Sequence, residues 1–192
     1  MPLAPFESAR KLIHVTGSLI PLTYLFLDIT KPQALLSLGI LALPFVLADI
    51  LRLWWPTLNR WFIHWFHGAM RPGEETRLTG STYYVLACWV TILVFERNVA
   101  VAALLILAYA DTAASVVGQA LGGYRLGKEK TLAGAVAFLV TAFLVGLPFF
   151  SPITALGGAV IAAATECLPL PLDDNVTIPL VAGIFFTLLR PL

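Results

Sequence analysis

The residues whose types and spacing could support chemistry are concentrated at positions 104–134. An apolar run there contains an acid, Asp111. Ser115 and Gly118 follow it at helical spacing, so one helix face would carry an acid, a hydroxyl group and bare backbone. An ionisable group within an apolar span is costly in a bilayer, and it therefore points to a functional role.

A glycine-rich, basic loop follows this apolar run. Glycines allow backbone amides to approach a ligand closely, and lysine or arginine side chains neutralise phosphate charge. An acid one helix-length away suits a metal ion that accompanies a nucleotide phosphate. A glycine-rich basic loop alone is typical of an ordinary cytoplasmic loop. A lone buried acid is often a hydrogen-bonding group in helix packing. The prediction of a phosphate site therefore depends on the combination of the two. The loop contains Gly118, Gly122, Gly123 and Gly127, with Arg125, Lys128 and Lys130 as its cations.

The same stretch resembles the CTP-dependent lipid kinases, a family that includes dolichol, polyprenol and phytol kinases and CTP-type diacylglycerol kinases. The matching segments are ADTAASVVG at 110–118, GK at 127–128 and KTLAG at 130–134. One position departs from the family pattern, because the last motif carries an acid in the family and Ala133 in this chain.

Three further polar segments resemble the family, each beside a predicted span. Without the resemblance they would be typical of a basic membrane flank, a loop with a helix cap, and a hinge between spans. The matching residues are Arg10, Lys11 and His14 before the first span, Glu75 and Thr79 in the loop at 71–82, and Glu166, Asp174, Asn175 and Pro179 around the last hinge.

The resemblance implies an integral-membrane kinase that transfers the γ-phosphate of CTP to a lipid alcohol, with Mg²⁺ as cofactor. The acceptor stays open between polyprenol, dolichol, a phytol-like alcohol and diacylglycerol, and so does the choice of the carboxylate that accepts the hydroxyl proton. The implied catalytic residues are Asp111, Glu166 and Lys130, and the implied metal ligands are Asp111, Glu166, Asp174 and Asn175. The implied nucleotide-binding residues are Arg10, Lys11, Ser115, Gly118, Gly122, Gly127, Lys128, Lys130, Thr131 and Gly134, with His14, Glu75 and Thr79 as further candidates.

The composition predicts an all-α, polytopic membrane helix bundle. Of the 192 residues, 59% are hydrophobic and 12% are charged, and runs of apolar residues approach the length that a bilayer requires. We expect one transmembrane catalytic domain over 1–192 that contacts membrane lipids and no nucleic acid. The predicted spans are 12–29, 34–53, 82–95, 99–117, 132–150, 153–166 and 176–189, and since the last is short the count is six to seven.

Two local features lie at the end of the second span and directly after it. Asp49 and Arg52 are three residues apart, which predicts either an ion pair at the membrane interface or a catalytic pair. Four of the five tryptophans fall in the segment 54–70, where aromatic residues recur at helical spacing. Tryptophan prefers the headgroup region, so this segment is predicted to form an amphipathic helix in the interface. His64 and His67 lie on its polar side, where a metal pair is a weaker alternative.

The distribution of charge predicts a cytoplasmic N-terminus. The seven-span topology assigns nine of the twelve Lys and Arg residues to the side of the N-terminus and three, Lys31, Arg97 and Arg190, to the other side. Of the eleven acids, only Asp28 and Glu96 fall on that other side. Because the rule concerns cations, this bias of the acids favours a polar chamber that faces the cytoplasm, where a nucleotide and a lipid alcohol could meet.

Two alternative functions remain open. Phosphatidate cytidylyltransferases have a similar acidic and glycine-rich region, but this chain lacks their His-Gly-Gly-x-x-Asp-Arg-x-Asp type signature and has Asp173, Asp174 and Asn175 at the corresponding end. A small transporter would place polar groups near the midplane or on both sides of the membrane, whereas here they gather on one side.

Overall fold

The computed structural model describes residues 5–126 and 130–189, with side chains from residue 11 onward, and the regular structure of these residues is helical. The all-α prediction is therefore confirmed. The helices are α1 (Pro5–Gly17), α2 (Leu19–Phe26), α3 (Lys31–Trp54), α4 (Pro56–Phe66), α5 (Gly80–Val94), α6 (Arg97–Leu121), α7 (Leu132–Gly146), α8 (Pro152–Cys167) and α9 (Asp174–Leu188), with a 3₁₀ turn at His67–Ala69.

Helix α6 is the centre of the bundle. Residues 99–108 are all buried, and α1, α2, α5, α7 and α9 pack around this helix. A helix that is apolar on every side is expected to be buried in this way. Asp111 follows the buried segment by one turn, so the same helix that forms the core carries the acid to the edge of it.

Small residues allow the last helices to pack closely. A Cβ atom on Gly158 of α8 would lie 2.2 Å from the Phe186 ring, and one on Gly183 of α9 would lie 2.4 Å from the Phe95 ring. The rings of Phe150 and Phe186 stack with their centroids 4.1 Å apart. These contacts fix α9 against α8 and against the end of α5, which is how small residues act at helix interfaces in membranes.

Two helices, Lys31–Trp54 and Arg97–Leu121, are long and apolar enough to cross a membrane. The apolar helices α5, α7, α8 and α9 have 15 or 16 residues. At 1.5 Å per residue they extend about 22–24 Å, against about 30 Å for a typical hydrocarbon core. Helix length therefore supports two full spans among the described residues.

The first predicted span, 12–29, is not continuous in the structure. Helix α1 ends at Gly17 and α2 begins at Leu19. Pro21 has no amide hydrogen, so it cannot make the helical bond to the residue 17 carbonyl. The Ser18 hydroxyl group donates to the Val15 carbonyl at 2.6 Å and lies 3.0 Å from the Tyr109 hydroxyl group, which ties the break to α6.

The predicted interfacial helix forms as α4 and the 3₁₀ turn. None of the residues of α4 is buried, and Trp61 and Trp65 are exposed. His67 Nδ1 is 3.3 Å from the His64 carbonyl oxygen. No group of three or more metal-ligating side chains surrounds these histidines within the described residues, so the polar-face interpretation is favoured over a metal pair.

Candidate active site

A cavity of about 780 Å³ lies at the end of the bundle where α6 and α8 end and α7 and α9 begin. This end of the bundle brings together motifs that are far apart in the sequence. The predicted site residues that line the cavity are Asp111, Ser115, Gly118, Gly122, Lys130, Thr131, Gly134, Glu166 and Asp174.

The centre of the cavity wall is a triad of one lysine and two acids. Lys130 Nζ donates to Glu166 Oε1 at 2.6 Å and to Asp174 Oδ2 at 3.1 Å. Burial alone would lower the pKa of Lys130, but the nearby carboxylates of Asp174 and Glu166 raise it above its ordinary value. The lysine therefore stays charged at neutral pH. We call Lys130, Glu166 and Asp174 the cavity cluster.

The chain between α6 and α7 places Lys130 by a short hairpin. Gly122 and Gly123 have φ angles of +61° and +91°, which residues with a side chain rarely adopt. They end α6 and turn the chain back, and the Leu126 amide then donates to the Lys130 carbonyl at 3.0 Å. Because its backbone is held in this way, the Lys130 side chain reaches the two acids across the cavity.

Part of the predicted phosphate loop is outside the described residues. Gly127 and Lys128 are the predicted residues concerned, and the side chain of Arg10 also lies outside the described residues. Arg125 lines the cavity, and Lys11 is buried.

Gly118 and Gly134 have a packing role that the sequence did not predict. A Cβ atom on Gly134 would lie 2.8 Å from the Ala114 carbonyl oxygen, and one on Gly118 would lie 2.7 Å from Thr131 Oγ1. The Thr131 hydroxyl group itself accepts from the Gly134 amide at 3.1 Å and caps α7. These glycines let α6 and α7 approach each other, and this close approach brings Asp111 and Lys130 to one cavity.

Asp111 lines the cavity beside α1. Its Oδ2 is 3.6 Å from His14 Nδ1, and the His14 ring packs against Tyr84 with centroids 5.2 Å apart. On the next turn of α6, Ser115 Oγ accepts from Gln119 Nε2 at 3.1 Å. His14 thus belongs to the site through its contact with Asp111.

Five predicted site residues with described side chains do not line the cavity: Lys11 and His14 on α1, and Glu75, Thr79 and Asn175. The exposed Glu75 carboxylate accepts from the Gly73 amide at 2.8 Å. Thr79 caps α5, and the buried Asn175 side chain donates to the Gly80 carbonyl at 3.1 Å. The structure gives Thr79 and Asn175 the role of fixing helix ends near the site.

Arg52 ties the polar loop at 71–79 to α3. Its guanidinium donates to Asp49 Oδ1 at 2.5 Å, to the Glu74 carbonyl at 3.0 Å and to the Arg77 carbonyl at 2.7 Å. A further bond reaches Asn59 Oδ1 at 2.9 Å. The predicted ion pair is therefore confirmed, but it is buried and holds a loop in place.

Asp49 is equally well bonded on its other oxygen. Asp49 Oδ2 accepts from the Thr79 amide at 2.8 Å and from the Thr82 hydroxyl group at 2.6 Å, at the start of α5. We call Asp49, Arg52, Thr79 and Thr82 the latch cluster. Its residues are buried and none of them lines the cavity, so the alternative of a catalytic Asp49–Arg52 pair is not favoured.

Two functional positions escaped the sequence analysis. Glu74, and not its neighbour Glu75, orders the loop: its carboxylate accepts from the Arg71 amide and the Gly80 amide, both at 2.9 Å. Arg71 also lines the cavity. Two adjacent glutamates in a polar loop give no periodic signal that separates them, so only the fold distinguishes their roles.

The carboxylates around the cavity have suitable chemistry for Mg²⁺, but their arrangement does not form a metal site. Within the described part of the chain no group of three or more His, Cys, Asp or Glu side chains could hold a metal ion. The Lys130 ammonium lies between Glu166 and Asp174, in the position that a metal ion bound by both acids would take. Lys130 therefore occupies one oxygen atom of each of these two carboxylates.

Comparison with known proteins finds lipid kinases. The chain is 28% identical to CTP-dependent diacylglycerol kinase 1 of Schizosaccharomyces pombe over 92% of this chain and 90% of that protein. It is 26% identical to CTP-dependent diacylglycerol kinase 1 of Saccharomyces cerevisiae over 93% of this chain and 72% of that protein. A probable chloroplastic phytol kinase of Triticum aestivum is 30% identical over 56% of this chain and 43% of its own length.

These relatives confirm the predicted resemblance to the CTP-type lipid kinases. No family model and no solved structure matches the chain.

Proposed function

We propose that this chain is a membrane kinase that transfers the γ-phosphate of CTP to a lipid alcohol, with the cavity as its active site. The observation that carries the proposal is the contact of Lys130 with Glu166 and Asp174, which joins three separate motifs at one cavity. The relatives named as CTP-dependent diacylglycerol kinases and phytol kinases support the donor and the class of acceptor.

The charges of the cavity suit phosphoryl transfer, which depends on charge neutralisation and positioning more than on covalent chemistry. We assign phosphate binding to Lys130, with Arg125 and Lys128 from the same loop. One carboxylate among Asp111, Glu166 and Asp174 accepts the proton of the lipid hydroxyl group. Burial raises the pKa of Asp174, and Lys130 offsets this effect only in part.

Mg²⁺ remains part of the proposal as the ion that accompanies CTP. Ligation by Glu166 and Asp174 would require Lys130 to leave them first, and a nucleotide phosphate is the group that would attract it. Asn175 is a weaker candidate ligand, because its side chain already donates to the Gly80 carbonyl.

We further propose an integral-membrane location with the cavity on the cytoplasmic side. The two long apolar helices support membrane insertion. Exposed tryptophans on α4 support its position at the headgroup level. The shorter helices α5, α7, α8 and α9 complete the six to seven predicted crossings if the bilayer thins around them or polar flanking side chains reach the interface. CTP is cytoplasmic, so this orientation brings it to the leaflet that holds the lipid.

The test uses CTP labelled in the α- or the γ-phosphate with the purified protein in detergent micelles. Diacylglycerol, phytol and a polyprenol are offered as acceptors, and Asp111→Asn is the matched control because it keeps size and removes charge. We expect the γ label to appear on lipid with the wild type and to be lost with Asp111→Asn.

The two labels also separate the alternatives. With phosphatidate as an additional acceptor, transfer of the α label to its phosphate, with release of pyrophosphate, would identify a cytidylyltransferase. Transfer of neither label, together with solute flux in liposomes, would identify a transporter and contradict the kinase.

A further inference from the structure

We propose that Arg71 is a second phosphate-binding residue of the cavity and that it recognises the polyphosphate chain of a nucleotide together with Lys130. This inference rests on the proposed function, which supplies the polyphosphate ligand. The sequence analysis placed Arg71 in a polar loop and gave it no role in binding.

Arg71 and Lys130 occupy equivalent positions on the cavity wall. Both line the cavity, and their side chains are equally exposed, at 30%. Arg71 Nη1 is 3.2 Å from Asp173 Oδ2, and Lys130 Nζ is 3.1 Å from Asp174 Oδ2. Two cations from distant parts of the chain are thus paired with two consecutive acids at the start of α9, and both reach the same solvent-accessible space.

The backbone of Arg71 is fixed from both sides. Its amide donates to Glu74 Oε2 at 2.9 Å, and the Glu74 carbonyl in turn accepts from Arg52 at 3.0 Å. The guanidinium carbon would lie 3.9 Å from a Cβ atom on Gly80, so the guanidinium lies beside the start of α5. A side chain whose backbone is already ordered loses less conformational freedom when it binds a ligand.

The guanidinium has donors left for a ligand. Its Nε makes no hydrogen bond to any described residue, and because this atom is buried it reaches a ligand only when the side chain turns toward the cavity. An ion pair that is partly open to solvent stabilises a fold only weakly, so exchange of Asp173 for a phosphate has a small cost. A guanidinium can bind phosphate oxygens in a bidentate manner, which a lysine cannot do.

Asp173 does not depend on Arg71 for a partner. Its Oδ1 accepts from the Asn175 amide at 2.9 Å and caps α9. When Arg71 turns toward a phosphate, this cap remains, and the end of α9 keeps its position in the cavity wall.

The competing interpretation is that Arg71 only ties the loop at 71–79 to α9. The two interpretations differ in how binding depends on the number of phosphates. If Arg71 binds phosphate, its loss should weaken the binding of CTP more than that of CMP. If Arg71 is only a structural tie, its loss should affect both nucleotides equally through the shape of the cavity.

The experiment measures the affinity of purified Arg71→Ala, Arg71→Lys and wild-type protein for CTP and CMP, by displacement of a fluorescent CTP analogue. Arg77→Ala is the matched control, because Arg77 lies on the same loop with an exposed side chain that does not line the cavity. Asp173→Asn removes the partner of Arg71 and keeps the guanidinium.

For Arg71→Ala we expect the CTP affinity to fall on the order of 10- to 100-fold, as for loss of a charged hydrogen-bond partner. The CMP affinity should change by less than about 3-fold, because the single phosphate of CMP makes fewer contacts with the cavity cations than the three phosphates of CTP. Arg71→Lys should recover part of the CTP affinity, and Arg77→Ala and Asp173→Asn should stay near the wild type.

Equal losses for CTP and CMP, or an Asp173→Asn loss as large as that of Arg71→Ala, would show that Arg71 is only a structural tie. Unchanged CTP binding by Arg71→Lys and Arg71→Ala would also overturn the inference. If the wild type itself binds no CTP, the proposed function fails, and the inference fails with it. Size-exclusion profiles confirm that each variant is folded before its affinity is compared.

Discussion

The latch cluster and the cavity cluster both place charged side chains in an apolar bundle, and they differ in where those charges face. In the latch, Arg52 and Asp49 are 1% and 4% exposed, and protein groups bind both oxygens of the acid. In the cavity cluster, the side chains of Lys130 and Asp174 are 30% and 31% exposed, whereas Glu166, at 4%, is as buried as Asp49. The latch charges are closed off by the protein, whereas the lysine and one acid of the cavity cluster remain open to a ligand.

The comparison shows that an acid within an apolar run is not sufficient to identify a functional site. The latch acid and its arginine are three residues apart on one helix, so their pairing is local. The cavity lysine reaches across 36 and 44 residues to acids on two other helices. Charged residues that are far apart in the sequence, and that the fold brings together beside solvent-accessible space, are the better indicator of a functional site.

The largest effect is expected from breaking the latch. Arg52→Ala leaves Asp49 buried without its counter-ion, and removal of one partner of a buried pair destabilises proteins by about 3–5 kcal/mol. The free energy of unfolding in detergent should fall by this order, as measured by denaturant titration. The exposed Arg60 on α4 is the matched control, and Arg60→Ala should have almost no effect.

The latch variant also makes a kinetic prediction, because its charges do not face the cavity. The rate per folded molecule should stay within a few-fold of the wild type after size-exclusion purification. A large loss of rate with unchanged stability would place Arg52 in the active site and remove the distinction between the two clusters.

The second effect comes from the cavity cluster and should appear in the rate. Lys130→Ala removes a cation that faces the phosphates, and loss of one such electrostatic contact commonly lowers the rate by about 10²–10³-fold. CTP saturation curves in detergent, where membrane orientation has no influence, should show this loss with weaker CTP binding. Lipid-alcohol binding should change little, since the lipid enters between helices.

Lys128→Ala tests the rest of the same loop. If both lysine variants keep wild-type kinetics, the lysines only determine membrane orientation, and the loop does not belong to the active site. A loss of rate in Lys130→Ala alone would locate the function in the lysine that the structure places between the two acids.

The sequence was sufficient for the features that depend on local pattern. The helical composition, the acid that follows the apolar part of α6, and the hairpin glycines all follow from residue type and spacing. The same stretch also predicts Lys130 as a phosphate-binding candidate. The resemblance implies Glu166 and Asp174 as metal ligands, and their contacts with Lys130 are known only from the structure.

The features that the sequence missed depend on contacts between distant residues. Periodicity tells which face of a helix is apolar and does not tell which helix covers it. The sequence pattern therefore favours a ligand-facing role for Gly118 and Gly134. In the structure, however, a Cβ atom on Gly118 would lie less than 3 Å from Thr131, and one on Gly134 less than 3 Å from Ala114. The ordering role of Glu74 has the same origin, whereas the break at Ser18 also has a local cause in Pro21.

The smallest effect is expected from Thr79→Val, which distinguishes a substrate-binding role of Thr79 from a helix-capping role. The resemblance made Thr79 a site candidate, and the structure makes it the cap of α5 and a member of the latch. Thr79→Val removes a hydroxyl group that lies 3.2 Å from Asp49 Oδ2 and keeps the amide that donates to the same oxygen at 2.8 Å. Asp49 Oδ2 also keeps the Thr82 hydroxyl group, so the acid is not left without donors.

Loss of a helix cap costs about 0.5–2 kcal/mol, which is why Thr79→Val should have less effect than Arg52→Ala. Thr76→Val is the matched control, because Thr76 lies on the same loop with an exposed side chain. Denaturant titration should show a loss for Thr79→Val only, and CTP and lipid saturation curves of both variants should match the wild type. A change in KM for either substrate in Thr79→Val, with unchanged stability, would place this hydroxyl group in contact with substrate. Thr79 would then belong to both the latch cluster and the substrate site.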